Sequence, residues 1–174
     1  ETISTENAKS LTSFTAGGSS IFRENGLITS FDELKYFTSY TSVAGSYNWT
    51  SQKTDSDFYG CENLRSINLE NIVSIGEGGF EASGIETVYA PKLNSLSQKA
   101  FFGCKNLKAV QSLGTVNTIN ANTFEGCSSL TTVILPKECT KINESAFAGC
   151  TSLTLIEIGE RITSIPNYAF NGCS

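Results

Sequence analysis

Phe58-Tyr59-Gly60-Cys61-Glu62-Asn63-Leu64 follows the pattern F-x-G-C-x-x-L, which recurs along most of the chain. The pattern returns at 101–107, 124–130 and 147–153, its first four residues return at 170–173, and a degenerate copy begins at residue 80. The cysteines or the equivalent serine lie at 61, 83, 104, 127, 150 and 173, so the intervals are 22, 21, 23, 23 and 23 residues. A period of this size predicts a solenoid of stacked units, each too small to bury its apolar face alone.

Each unit contains a short strand pattern after the cysteine position. Leu130, Val133 and Leu135 illustrate it, and the last two follow the two-residue period of a strand. Successive strands are expected to pair in parallel on one face, at about 4.8 Å spacing. A second apolar pair follows, such as Ile72 and Ile75. A turn or 3₁₀ helix on the convex side is then expected to direct the phenylalanine into the core.

A degenerate repeat precedes the array. Phe22 and Ile28 keep the spacing that separates Phe from Leu in the later copies, so residues 20–43 are interpreted as a worn first repeat that caps the stack. This interpretation predicts an N-terminal cap over 1–57 and a repeat array of about five units over 58–174, open at its C-terminal end. We expect that open end to continue into further repeats or to pack against something.

Two local signals fall inside the predicted cap. Ser30 and Glu33 fit a capping box, which predicts a short helix through Phe37. Residues 44–57 form an insertion relative to the repeat, and insertions in solenoids form loops that often carry binding residues. Because this insertion contains Tyr47 and the only tryptophan, Trp49, these aromatics are candidate binding residues. The alternative is that Trp49 covers the exposed end of the stack.

The cysteines form a column along the predicted stack. Neighbouring Cα atoms in it would lie about 5 Å apart, which is within the span of a disulfide. However, Ser83 interrupts the column, the number of cysteines in it is odd, and Cys139 occupies a position that should face the core. The pattern therefore favours a ladder of buried thiols that pack as small apolar groups over a set of disulfides.

Composition argues against several classes of function. The net charge is −5 without a basic stripe, which argues against nucleic-acid binding, and no apolar run approaches the roughly 20 residues of a membrane span. The chain has no histidine, which excludes histidine-dependent catalysis and leaves no support for a zinc site. A two-carboxylate glycosidase is not favoured, because candidate acids such as Glu125 and Glu144 fall at different places in their repeats. We therefore predict no catalytic residues, no cofactor and no metal.

The combined motif resembles the BspA-like subfamily of leucine-rich repeats. The resemblance is carried by 130–135, Cys139-Thr140-Lys141-Ile142 and Ala146-Phe147-Ala148-Gly149-Cys150 with their copies, and it covers roughly 58–174. It implies a leucine-rich-repeat solenoid in a bacterial protein that is secreted or displayed at the cell surface and acts by binding, with adhesion to host proteins and other cells. No catalytic residues accompany the family. This chain has no asparagine directly after the strand, so an asparagine ladder at that corner is not expected.

The candidate binding surface is the concave face of the sheet. Residues that flank the central apolar position of each strand should point away from the core, and we call this set the concave strip: Ser66, Asn68, Thr87, Tyr89, Ala109, Gln111, Thr132, Ile134, Leu155 and Glu157. Ile134 and Leu155 are aliphatic positions in this strip. They either form a contact patch or strengthen the sheet.

Two functional hypotheses follow, with a third as the remaining alternative. The chain is either an adhesion module that binds a protein partner, such as a host extracellular or cell-surface protein, through the concave strip, or a carbohydrate-recognition module. In the second case Trp49, Tyr47 and Tyr89 would stack on sugar rings. The third is a passive spacer within a longer surface protein.

Overall fold

The computed structural model describes residues 22–45 and 56–173 with their side chains, and the backbone of 15–16, 19–20, 47–48 and 53–54. A 3₁₀ helix spans Asp32–Tyr36. The strands within the described residues are β1 Thr15–Ala16, β2 Ser19–Ser20, β3 Ser30–Phe31, β4 Ser42–Val43, β5 Tyr47–Asn48, β6 Lys53–Thr54, β7 Ser66–Ile67, β8 Ser74–Ile75, β9 Thr87–Tyr89, β10 Ser95–Leu96, β11 Ala109–Ser112, β12 Thr118–Ile119, β13 Thr132–Ile134, β14 Lys141–Ile142 and β15 Leu155–Glu157.

The strands after the cysteine positions form the predicted parallel ladder. β9, β11, β13 and β15 make one four-stranded sheet, in which Thr132 lies opposite Leu155. β3 and β7 pair in the same parallel sense, and the Glu86 amide donates to the Arg65 carbonyl at 3.1 Å, which connects them to β9. Each strand therefore lies one coil further along the solenoid, and the prediction of a parallel-strand solenoid is confirmed.

A second parallel ladder runs along another side of each coil. β4, β8 and β10 form a three-stranded sheet, and β12 pairs with β14. These short strands end in the second apolar residue of each unit, which is buried in the five cases Val43, Ile75, Leu96, Ile119 and Ile142. The apolar pair was predicted, whereas its strand pairing was not, because two-residue strands carry no period of their own.

The phenylalanines form a continuous stack through the core. Seven rings lie face to face with centroids 5.0–5.4 Å apart and interplanar angles of 1–8°. They are Phe22, Phe58, Phe80, Phe101, Phe124, Phe147 and Phe170. Each contact contributes about 0.5–1.5 kcal/mol beyond the burial of apolar area. Because Phe22 heads the stack and β3 and β4 pair with the following coil, residues 22–43 form the worn first repeat.

The predicted capping box does not form. The first residue before the 3₁₀ helix is Phe31, and no side chain caps the helix. Ser30 instead lies in β3, where its backbone pairs with Ser66. Because Phe31 also pairs in this strand, the helix begins at Asp32 as a 3₁₀ helix, and Ser30 lies one residue too far upstream to cap it.

The core is well packed in the middle coils and opens at the last one. Ile158 and Ile165 occupy positions that are buried in earlier units, yet they are 42% and 48% exposed. Within the described residues no further coil covers them.

Glycine in the F-x-G-C motif occupies a left-handed backbone position. Gly126 has φ +74° and Gly149 has φ +71°, a region that non-glycine residues occupy at a cost of about 1–2 kcal/mol. The degenerate copy has Ala82 at this position, with φ +56°. At this position the degenerate copy therefore carries a backbone strain that the glycine of the regular copies avoids.

We expect Ala82→Gly to raise the free energy of unfolding by about 0.5–1 kcal/mol, because relief of the left-handed strain exceeds the added entropy of the unfolded chain. Urea unfolding followed by circular dichroism measures the change. Ala148→Gly is the matched control, since Ala148 is buried and does not have positive φ, and it should lower stability. A lower unfolding midpoint for Ala82→Gly would contradict the assignment.

Candidate functional site

The cysteine column is a ladder of thiols and contains no disulfides. All six cysteines are free, and five are buried. Each thiol of the column donates to the carbonyl oxygen of a phenylalanine in the preceding coil, at 2.8–3.2 Å, as Cys127 does to Phe101. The preference for free thiols is confirmed, but the thiols also satisfy backbone carbonyls, a role that was not predicted. Cys139 lies outside the column and is also buried.

The buried thiols of the column have little nucleophilic reactivity. Burial raises the pKa of Cys104 and of Cys150 to about 12, and the pKa of Cys127 lies well above its usual value for the same reason. Since the thiolate is the nucleophile and the metal ligand, a buried thiol with a raised pKa is a poor candidate for either role. No group of metal-binding side chains occurs within the described residues.

The concave strip reaches the surface at every predicted position. Seven of its residues are exposed: Ser66, Thr87, Tyr89, Gln111, Ile134, Leu155 and Glu157. The other three are half-buried: Asn68, Ala109 and Thr132. The apolar residues between them are fully buried in the middle coils, as Val88, Val110 and Val133 show, and partly buried at Ile67 and Ile156. The predicted alternation between core and surface is therefore correct along the ladder, while a role in binding stays a prediction.

One position in the strip differs from the predicted register. β11 contains an irregularity between Val110 and Ser112, so that Ser112 lies opposite Tyr89 and Gln111 is the additional residue. The two-residue spacing that separates Val133 from Leu135 would place Ser112 in the core after Val110, but Leu113, which is 1% exposed, fills that core position. A bulge moves the following side chains by one residue, and the repeat pattern gave no sign of it because this coil has the regular length.

An apolar patch lies at the C-terminal end of the strip. Ile134 is 39% exposed and Leu155 is 50% exposed, and they lie on the paired strands β13 and β15. The adjoining corner between coils holds a groove of about 670 Å³, which we call the corner groove, and exposed Ile158 contributes to it. The corner groove is lined by Gly114, Ile134, Leu135, Pro136, Lys137, Glu138, Glu157, Ile158, Gly159, Glu160 and Arg161.

A charged column borders the strip on its other side. Glu86 lies between two cations, with Lys108 Nζ at 2.7 Å and Arg65 Nε at 3.8 Å from its carboxylate oxygens. The hydrogen bond and the charge of Lys108 lower the pKa of Glu86. These groups are exposed, so the ion pairs contribute little to stability. Their threonine neighbours Thr131 and Thr154 donate to carbonyl oxygens of the preceding coil at 3.0 and 3.2 Å.

A second depression lies at the N-terminal end of the strip. It has a volume of about 360 Å³, and Tyr89, which is 51% exposed, lines it together with Asn68. Asp32, Lys35 and Glu70 complete its polar lining. These three residues were not among the predicted site residues. Phe31 of the worn repeat is equivalent to Ile67 of the next coil, which places Asp32 beside Asn68. An alignment of the worn repeat with the regular copies would have indicated Asp32 as a surface neighbour of Asn68.

The insertion contains an antiparallel pair of strands, β5 and β6, in which Tyr47 lies opposite Thr54. The described structure gives the backbone of Tyr47, and Trp49 lies outside the described residues. The buried Asp57 closes the insertion, since its carboxylate accepts hydrogen bonds from the Tyr40 hydroxyl and from the Ala44 amide. A binding role for Tyr47 and Trp49 stays a prediction, as does the boundary between the regions 1–57 and 58–174.

Within the described part of the chain, no helix has both the length and the apolar character that crossing a membrane requires. Two solved structures share the fold. A leucine-rich repeat protein from Bacteroides ovatus is 27% identical, with a TM-score of 0.57, over 60% of this chain and 28% of its own. The leucine-rich repeat protein of T. pallidum is 27% identical, with a TM-score of 0.51, over 57% of this chain and 48% of its own. The match thus spans less than half of either protein.

No curated protein sequence matches the chain. The family match rests on the repeats themselves: residues 51–174 match the family described as the BspA type leucine rich repeat region, in six copies. This region contains the phenylalanine stack from Phe58 onward, the thiol column and the whole four-stranded sheet. The chain therefore belongs to the BspA-type leucine-rich repeat family.

Proposed function

We propose that this chain is a non-enzymatic binding module, secreted or displayed at a bacterial cell surface, that binds a protein partner through the concave strip. Two general properties of its relatives support this proposal: leucine-rich repeats of this family generally lack catalytic activity, and BspA-type proteins are typically associated with the cell surface. The partner is a protein outside the cell, such as a host extracellular or cell-surface protein.

The observation that carries the proposal is the exposed apolar patch on a rigid sheet. Ile134 and Leu155 expose aliphatic side chains on the paired strands β13 and β15, although a coil could hold polar residues at both positions without any loss of core. Protein interfaces have an apolar centre surrounded by polar groups. Here the polar groups beside the apolar centre are those that line the corner groove, namely Lys137, Arg161 and three carboxylates. A standard interface covers about 800 Å² per partner, so the contact would have to extend from the apolar patch along the strip.

The test uses an array of immobilised extracellular-matrix and host cell-surface proteins, probed with the purified chain. Ile134→Ser combined with Leu155→Ser should weaken binding to any captured protein by about tenfold or more, since the centre of an interface carries most of its energy. Ile165→Ser is the matched control, because Ile165 is a comparably exposed isoleucine outside the strip. Binding that survives the double substitution would refute the concave strip as the interface. Absence of any binding protein would favour the spacer.

A further inference from the structure

The depression at the N-terminal end of the strip has features of a ligand site that the apolar patch at Ile134 and Leu155 does not share. Asp32, Asn68 and Tyr89 come from three successive coils and line one concavity of about 360 Å³. They therefore present a carboxylate, an amide and an aromatic ring around one concavity. Tyr89 lies in β9, Asn68 directly follows β7, and Asp32 begins the 3₁₀ helix directly after β3. Side chains held on a folded backbone next to paired strands need little ordering when a ligand binds.

Much of the hydrogen-bonding capacity in this depression is unused. The Asn68 Oδ1 atom accepts from the Glu70 amide at 3.0 Å, which orients the side chain, while its NH₂ group makes no hydrogen bond within the described residues. One Asp32 oxygen accepts from the Ser66 hydroxyl at 3.2 Å, and the other is without a partner in the same part of the chain. The Tyr89 hydroxyl likewise has none there, and half of this side chain is exposed. Donors, acceptors and a ring face are thus all available together.

The charges of the depression restrict the class of ligand. Asp32 and Glu70 are acidic, and the only cation in the lining, Lys35, has its ammonium group 5.2 Å from the centroid of the neighbouring Tyr36 ring. The excess of negative charge in the lining disfavours the binding of phosphates, sulfates and other anions. An apolar peptide anchor is also disfavoured, because Leu69 is buried and offers no pocket for it.

A neutral sugar ring satisfies these conditions. One face of a pyranose carries C–H groups that pack on an aromatic ring, and its hydroxyl groups both donate to carboxylates and accept from amides. We propose that the depression formed by Asp32, Asn68 and Tyr89 binds a single neutral pyranose unit of a glycan. This site is separate from the apolar patch at Ile134 and Leu155, and it shares Asn68 and Tyr89 with the concave strip.

The test is a nuclear magnetic resonance titration of the ¹⁵N-labelled chain with methyl glycosides of glucose, galactose and mannose, with sialic acid as the anionic comparison. At least one neutral glycoside should shift the Asn68 side-chain amide signal in a saturable way. Tyr89→Ala should weaken that binding by about tenfold, because it removes the ring face, whereas Tyr89→Phe should retain most of it. Asn68→Ala should also weaken it.

Two controls separate this site from general effects. Tyr168→Ala removes an exposed tyrosine elsewhere on the chain, and the double substitution of Ile134 and Leu155 disrupts the protein interface. Both should leave sugar binding unchanged. The proposal is overturned if no neutral glycoside gives a saturable shift at Asn68, if only sialic acid does, or if Tyr89→Ala binds as tightly as the unmodified chain. Loss of a protein partner alone on Tyr89→Ala would also overturn it and would assign Tyr89 to the protein interface.

Discussion

Replacement of Phe124 by alanine is expected to lower the free energy of unfolding by about 3–5 kcal/mol, the usual cost of deleting a buried phenylalanine. Phe124 is fully buried and stacks on Phe101 at 5.4 Å and on Phe147 at 5.3 Å, so the substitution removes two ring contacts and leaves a cavity in the middle of the array. Because domains are stable by only about 5–15 kcal/mol, the variant should unfold at a much lower urea concentration.

The comparison with Phe170→Ala tests whether the stack acts as a unit. Phe170 is only half-buried and stacks on Phe147 alone within the described residues, so its loss should cost less than half as much. Both variants are measured by urea unfolding with circular dichroism. Equal losses for Phe124→Ala and Phe170→Ala would mean that the coils are stabilised separately and that the continuous stack adds nothing.

The architecture was predictable because the same core positions recur in successive copies of the repeat. Phe, the cysteine position, and the aliphatic residues such as Leu130 and Val133 recur with nearly constant spacing, and only a stack of coils buries all of them together. A single copy would not have been sufficient, since a strand of three residues has no detectable period. The surface positions of the concave strip followed directly, because side chains alternate along a strand.

The features that were missed depend on contacts between coils or on backbone detail. The second ladder consists of strands of two residues, and the bulge at Gln111 occurs in a coil of regular length. The capping box predicted at Ser30 does not form, because Ser30 and Phe31 pair as a strand with the next coil. The depression at the N-terminal end of the strip combines Asp32 from the worn repeat with Tyr89 two coils later. Their proximity can be inferred from the sequence only when the worn repeat is aligned with the regular ones.

The thiol ladder predicts an unusual sensitivity to alkaline pH under reducing conditions. Burial raises the pKa of Cys104 and Cys150 from an ordinary value near 9 to about 12, so the folded state keeps their protons and the unfolded state releases them. The stabilisation is therefore fully present below pH 9 and is lost as the pH rises toward 12. Each of these thiols should cost about 1.4 kcal/mol of unfolding free energy per pH unit in that window. Urea unfolding at intervals from pH 8 to pH 11 measures the slope.

Serine is the matched substitution, because Ser83 already occupies one position of the column, and a hydroxyl can donate to the same phenylalanine carbonyl without titrating in this range. The variant with Cys104→Ser and Cys150→Ser should lose stability with a clearly shallower slope above pH 9, even if its stability at pH 8 is lower. Tyr40, whose pKa is raised by burial and by the charge of Asp57, contributes in both proteins and so cancels in the comparison. Parallel slopes for the two proteins would show that the column thiols ionise as readily in the folded state as in the unfolded chain, and that the ladder is open to water.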